Sequence, residues 1–188
     1  MAAKPDAAKG QQVYFAYCAD CHGSRGQGDA SAATPVLAGQ VTSYLVKQLV
    51  DVAEGDRELS EMHRIVARSE LSTPQALRDV ATHLSTLPLI APQTGDGKQL
   101  VLGQRIYHSA CAQCHGQEAQ GDGTHLVPAL RGQHYSYLLM QARRLAVGHR
   151  YSVDPSVIQL LEALTFDQLT AVADFASRLP LKQQPVVR

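Results

Sequence analysis

Cys18-Ala19-Asp20-Cys21-His22 and Cys111-Ala112-Gln113-Cys114-His115 are one five-residue pattern, C-x-x-C-H, written twice 93 residues apart. The spacing is that of covalent haem attachment. Two thiols one helical turn apart can each add to one vinyl group of a single porphyrin. The His that follows at once then reaches the iron as its proximal ligand. Two other readings compete. A C-x-x-C pair can be half of a zinc site or a thioredoxin-like dithiol. Zinc would need both pairs to converge on one metal, and a dithiol needs neither the appended His nor a second copy. The doubled motif therefore reads as two covalently attached haem c groups, with Cys18, Cys21, Cys111 and Cys114 as the attachment thiols. His22 and His115 are the proximal iron ligands by motif.

The motifs are the peaks of a repeat that runs through the chain. Sliding the sequence by 93 aligns Gly10 with Gly103, Tyr14 with Tyr107, Pro35 with Pro128 and Gly39-Gln40 with Gly132-Gln133. Ser43-Tyr44-Leu45 then meets Ser136-Tyr137-Leu138, and Gln48, Gly55, Arg57 and Ile65 meet Gln141, Gly148, Arg150 and Ile158. Near the ends the offset becomes 92, so that Leu87-Pro88 meets Leu179-Pro180, with the lost residue placed after Gln168. Two lobes follow, residues 1–90 and 98–188. The Pro- and Gly-rich stretch 91–97 is the linker.

With 188 residues, 3 Phe and no Trp, each lobe has few large anchors for a core. Two enclosed porphyrins would supply the missing apolar bulk. All 4 Cys are used by the motifs, which leaves none for a structural disulfide. Formal charge is zero; residues 1–94 carry 8 Lys+Arg against 10 Asp+Glu, and residues 95–188 carry 9 against 7. That balance gives no sign of nucleic acid as a partner. No apolar run is long enough for a membrane span. Met1 to Lys9 lacks the apolar region of a secretory leader, so the sequence is expected to be a mature form.

Each copy reads as helices and loops without a convincing strand. The expected helices are Ala8–Cys18 and Leu100–Cys111, each carrying its motif at the C-terminal end, then Thr42–Ala53 and Ser136–Ala146. A last helix in each copy starts at a cap. Thr165-Phe166-Asp167-Gln168 has the form of a capping box, and Ser72-Thr73-Pro74-Gln75 reads as the same device with Pro in the first turn. The fold class is all-α.

The order G-x-x-x-Y/F, C-x-x-C-H-G, G-x-G-D, P-x-L-x-G-Q, Y, Q, G-x-R and M, given nearly complete twice between Gly10 and Pro180, resembles the dihaem cytochrome c4 family. The resemblance implies two tandem class I cytochrome c-like lobes with their haems close together. It also implies a periplasmic electron carrier in a respiratory chain, with redox proteins as donor and acceptor, among them a membrane oxidase or a dehydrogenase subunit. In such cytochromes the Pro that corresponds to Pro35 and Pro128 accepts the proximal His N–H through its carbonyl.

Met62, five residues after Gly55-Asp56-Arg57, matches the family's axial Met and is the candidate sixth ligand of the first iron. The second lobe departs from the pattern. The residue 93 after Met62 is Pro155, which has no donor atom. Three outcomes stay open: ligation by His149 from the same loop, ligation by another residue such as Met140, or an open distal face. Arg57 and Arg150 are candidate partners of haem propionates, because an Arg fork matches a carboxylate. Tyr44 and Tyr137 either bond propionates or merely pack. Solvated surface positions are expected for His63, His83, His108, His125 and His134.

No acid–base pair stands out beside either motif, which favours electron transfer over bond-making chemistry. The alternatives are a haem enzyme or small-ligand-binding protein that uses an open second site, and a cytochrome subunit of a sulfur-compound dehydrogenase.

Overall fold

Gly10 lies so close to the last helix of its lobe that a Cβ there would stand 2.0 Å from the carbonyl oxygen of Asp79. Its repeat partner Gly103 would place a Cβ 2.1 Å from the carbonyl oxygen of Ala171. These two crossings set the frame of each lobe. The structure is a computed structural model that describes residues 3–67, 71, 73–150 and 152–181. Its described residues form helices, with two isolated β-bridges, Asp29 to Thr34 and Asp122 to Val127, at equivalent places.

The first lobe contains α1 (Ala7–Tyr17), α2 (Ala19–His22), α3 (Thr42–Glu54), α4 (Ser60–Val66) and α5 (Pro74–Thr86). The second contains α6 (Leu100–Ile106), α7 (Ala112–His115), α8 (Tyr135–Ala146), α9 (Pro155–Glu162) and α10 (Phe166–Ser177). The expected helix Leu100–Cys111 is not α-helical throughout. A π-helical turn, Tyr107–Cys111, joins α6 to α7, whereas α1 runs as an α-helix to Tyr17.

Caps explain the helix starts. Asp6 accepts from the backbone N–H of Ala8 and Lys9 through its carboxylate, and its own N–H donates to the Asp79 carboxylate of α5. Thr165 and Gln168 form the expected capping box on α10. On α5 the expectation was one residue off: Thr73 is the N-cap and accepts from Ala76 N–H, while Ser72 lies outside the described residues. Pro74 is then the first helical residue, where it has no N–H to lose. Gln75 reaches Asp79 and the Lys4 carbonyl instead of closing a box. With Thr73 and Thr165 as equivalent caps, 92 residues apart, the lost residue precedes Thr165 rather than following Gln168.

Each lobe has one main apolar cluster, and the first lobe adds a smaller one of Val52, Val66 and Leu77. Tyr14, Leu45, Leu71, Val80, Ala81 and Leu84 form the main cluster of the first lobe, and Ile106, Tyr107, Ala112, Ala119, Val172 and Ala176 that of the second. Tyr14 and Tyr107 are fully buried twins.

The lobes meet through paired contacts related by the repeat, like an isologous dimer within one chain. Gln40 donates to the Ala129 carbonyl (2.9 Å) and accepts from Ala129 N–H (2.8 Å). Its twin Gln133 does the same with Val36, at 2.9 and 2.8 Å. Ser43 donates to the Gly123 carbonyl and Ser136 to the Ala30 carbonyl, each at 2.7 Å. The linker is tied down as well: Gly95 and Gly97 donate backbone N–H groups to the Asp174 carboxylate. No described helix is long and apolar enough to cross a membrane.

Candidate functional site

Each attachment motif spans one short helix, α2 or α7, that follows directly on a longer one. Cys18 and Cys111 are half-buried, Cys21 and Cys114 exposed, and none of the four is in a disulfide. Burial pushes the thiols of Cys18 and Cys111 up to about 11, with help from the neighbouring Cys21 and Cys114. The turn after each His is held from the core. Tyr14 donates to the Gly23 carbonyl at 2.6 Å and Tyr107 to the Gly116 carbonyl at 2.7 Å. Gly23 and Gly116 have φ of +78° and +84°, and a Cβ on either would collide with the side chain of Gln27 or Gln120. Only glycine fits there.

The proximal His rings are fixed from behind. His22 Nδ1 lies 3.4 Å from the Pro35 carbonyl oxygen, and His115 Nδ1 lies 2.9 Å from that of Pro128. With Nδ1–H donated to a carbonyl, Nε2 is the lone-pair nitrogen, as an iron ligand requires. Burial holds both rings below the ordinary His range, against the opposing effect of the Pro carbonyls, so both are neutral. The paired cysteines outside any disulfide and the oriented imidazoles fit covalent haem. Among the described residues no group of three or more His, Cys, Asp or Glu is arranged to hold a metal ion.

Arg57 and Arg150 come together with Tyr44, Tyr137 and two glutamines between the lobes. Arg57 donates to Gln48 (2.8 Å) of its own lobe and to the Tyr137 hydroxyl (2.9 Å) of the other. Arg150 donates to Gln141 (2.9 Å) of its own lobe, and to Gln48 (2.5 Å) and the Tyr44 hydroxyl (3.2 Å) of the first. Arg150 is buried, and its Nε has no hydrogen-bond partner among the described residues. An acceptor such as a propionate oxygen would satisfy it.

Met62 sits half-buried on α4, against Val52, Val66 and Leu77. Its neighbour His63 is exposed and places Nδ1 2.8 Å from the Val52 carbonyl oxygen. In the second lobe Pro155 opens α9 behind the capping carboxylate of Asp154, whereas α4 starts two residues before Met62. His149 is exposed, with its backbone N–H on the Arg144 carbonyl. Met140 is half-buried on α8. Tyr151 of this loop lies outside the described residues.

Two histidines expected at the surface are buried. His83 packs against Tyr14, with ring centroids 5.7 Å apart. His134 accepts from Gln93 N–H at Nδ1 and meets the Gln27 carbonyl through Nε2, both at 2.9 Å, and so joins linker, second lobe and first lobe. It occupies the place of Val41 in the first copy, an exchange visible in the repeat alignment.

The cytochrome c family model matches twice, over residues 7–88 and 100–177. Cytochrome c4 of Pseudomonas aeruginosa is 30% identical over 183 residues, which is 93% of this chain and 89% of that protein. The chain belongs to the cytochrome c4 family. The crystal structure of reduced cytochrome c4 from Pseudomonas stutzeri superposes with a TM-score of 0.84 at 25% identity, over 94% of this chain and all of that one. A thiosulfate dehydrogenase from Marichromatium purpuratum superposes at 0.81 with 26% identity, over 93% of this chain and 40% of that one. As a cytochrome c4 relative, the protein is a dihaem electron-transfer cytochrome with two covalent haem c groups on Cys18/Cys21 and Cys111/Cys114.

Proposed function

We propose that the cytochrome works in the periplasm and carries electrons between a respiratory or dehydrogenase donor and a terminal acceptor. Haem iron supplies a one-electron couple. The chain's residues orient that couple and connect two copies of it. His22 and Met62 are assigned to the two faces of the first site, and His115 to the proximal face of the second. Arg57 and Arg150 are assigned to the propionates. The observation that carries the reading is the paired lobe junction, where the Arg and Tyr of each lobe interlock with those of the other. It holds the two sites in one fixed relation. A redox titration of the matured protein tests the reading. It should give two reversible one-electron steps, and irreversible steps or a single step overturn it.

Pro155 supports a second reading. With no Met between 148 and 162 and His149 exposed, the distal face of the second site is free to take a small ligand. The likeness to part of a thiosulfate dehydrogenase adds a role as the electron-accepting portion of a sulfur-compound dehydrogenase. Turnover of peroxide, or of thiosulfate with ferricyanide as acceptor, by the isolated protein would favour an enzyme. Its absence leaves the carrier.

A further inference from the structure

The end of α8 and the matching end of α3 occupy equivalent places in the two lobes yet carry opposite charge. Residues 50–58 hold Asp51, Glu54, Asp56 and Glu58 against one basic residue, Arg57. The equivalent stretch 143–151 holds Arg143, Arg144 and Arg150 and no acidic residue. Glu54, Asp56 and Glu58 are exposed in the first lobe. In the second, Arg143 is exposed and Arg144 half-exposed, and neither enters an ion pair among the described residues.

Among the described residues, apolar surface joins the charge at this corner in the second lobe and not in the first. Val147 is 63% exposed and Phe166 56% exposed, two of the few large apolar side chains left open to solvent. The guanidinium carbon of Arg143 sits 5.2 Å from the centroid of the Phe166 ring. The backbone closes the patch, since Val147 N–H bonds the Arg143 carbonyl and His149 N–H the Arg144 carbonyl. Asp167, next to Phe166, is an acidic group at the margin, and Glu162 at the end of α9 is another. In the first lobe the place of Val147 is taken by Glu54 and the start of the last helix by Pro74. An aromatic and an aliphatic side chain flanked by unpaired arginines is the composition of a protein interface, and its charge selects the partner.

We infer that Arg143, Arg144, Val147 and Phe166 form the docking surface for a redox protein whose own docking face is acidic. Docking is thereby confined to the second lobe, because the same corner of the first would repel such a partner. The inference rests on the electron-carrier reading and names the chemistry of one of its partners.

The test uses the dihaem protein and flavodoxin hydroquinone, an acidic protein reductant, in stopped flow as a function of salt. The wild-type second-order rate should fall as ionic strength rises. Arg143→Glu with Arg144→Glu should lower the low-salt rate about tenfold or more and flatten the salt dependence. Glu54→Lys with Asp56→Lys should leave the rate within about twofold, because the surface in use is elsewhere. Should the double reversal misfold, Arg143→Gln with Arg144→Gln must show a smaller loss of the same kind. Unchanged rates in the arginine variants overturn the inference, as does an equal response to the two sets of changes, which would report net charge alone. Low-salt self-association that the arginine variants abolish also overturns it, by making a second copy of the chain the occupant. Two reversible redox steps with a rate indifferent to the patch sink this surface alone. Loss of those steps in the wild type sinks the carrier reading.

Discussion

The guanidinium of Arg57 in the first lobe donates through Nη2 to the hydroxyl of Tyr137 in the second, at 2.9 Å. The repeat returns the bond, from Arg150 to Tyr44 at 3.2 Å. Each lobe thus completes the other's arginine environment, and neither set closes without its partner. Beside the two glutamine clamps, these are charged-donor bonds, the stronger kind.

Tyr137→Phe should therefore weaken the lobe junction while leaving both attachment turns intact. A hydrogen bond to a charged group contributes about 1.5–3 kcal/mol, and a loss toward the lower end is expected because Arg57 keeps Gln48. Urea unfolding of the holoprotein measures it. Tyr44→Phe should cost less, since Arg150 retains both Gln48 and Gln141. No cost in either variant would show that the hydroxyls merely pack, and equal costs would show that the second glutamine partner of Arg150 does not compensate.

The helix crossings at Gly10 and Gly103 give a second expectation. A Cβ at either place would meet a backbone carbonyl, which cannot swing aside like a side-chain end. Gly10→Ala and Gly103→Ala should each destabilise the protein by about 1–3 kcal/mol, as overpacking does, although alanine favours a helix in isolation. Thermal or urea unfolding decides it. A stabilised variant would mean that the helices separate at no cost.

Met62→Ala tests the first site. The variant should lose the weak thioether-to-iron band at the red end of the oxidised spectrum and show one lowered reduction potential, with the other unchanged. Met62 also packs against Val52, Val66 and Leu77, so a stability loss alone would not settle its role. Unchanged potentials would return Met62 to the core.

The haem motifs, the repeat and the capping box at Thr165 were legible because each is local, a few residues at fixed spacing. The same holds for Tyr14 and Tyr107, although their bond to Gly23 and Gly116 was not foreseen. What stayed hidden depends on how the copies face each other. Arg57 meets Tyr137 across 80 residues and Arg150 meets Tyr44 across 106, pairings that no period along the chain encodes. Gln40 and Gln133 stood out as repeat partners, but polar residues at a junction look like polar residues at a surface. The helices α4 and α9 are too short for a clear apolar period. At the start of α5, Ser72-Thr73 offers two adjacent hydroxyls as caps, and Pro74 selects the second by occupying the first helical position.

The second site yields the last prediction. Pro155 stands where the first lobe has Met62, and its place at the start of α9 is fixed by the Asp154 cap. The loop before it must then approach the second site with its own residues. Of these, Arg150 is bound into the lobe junction and His149 is exposed. The distal face is expected to lack a Met ligand and to accept cyanide or carbon monoxide at one haem only. His149→Ala separates the cases. If the exposed ring stays in solvent, the variant keeps the wild-type spectrum and its ligand binding. If the ring swings onto the iron, wild type is low-spin at both sites, and the variant turns one of them high-spin and opens it to cyanide. A second His/Met spectrum that disappears in Met140→Leu would instead put the Met140 sulfur on that iron and defeat the prediction.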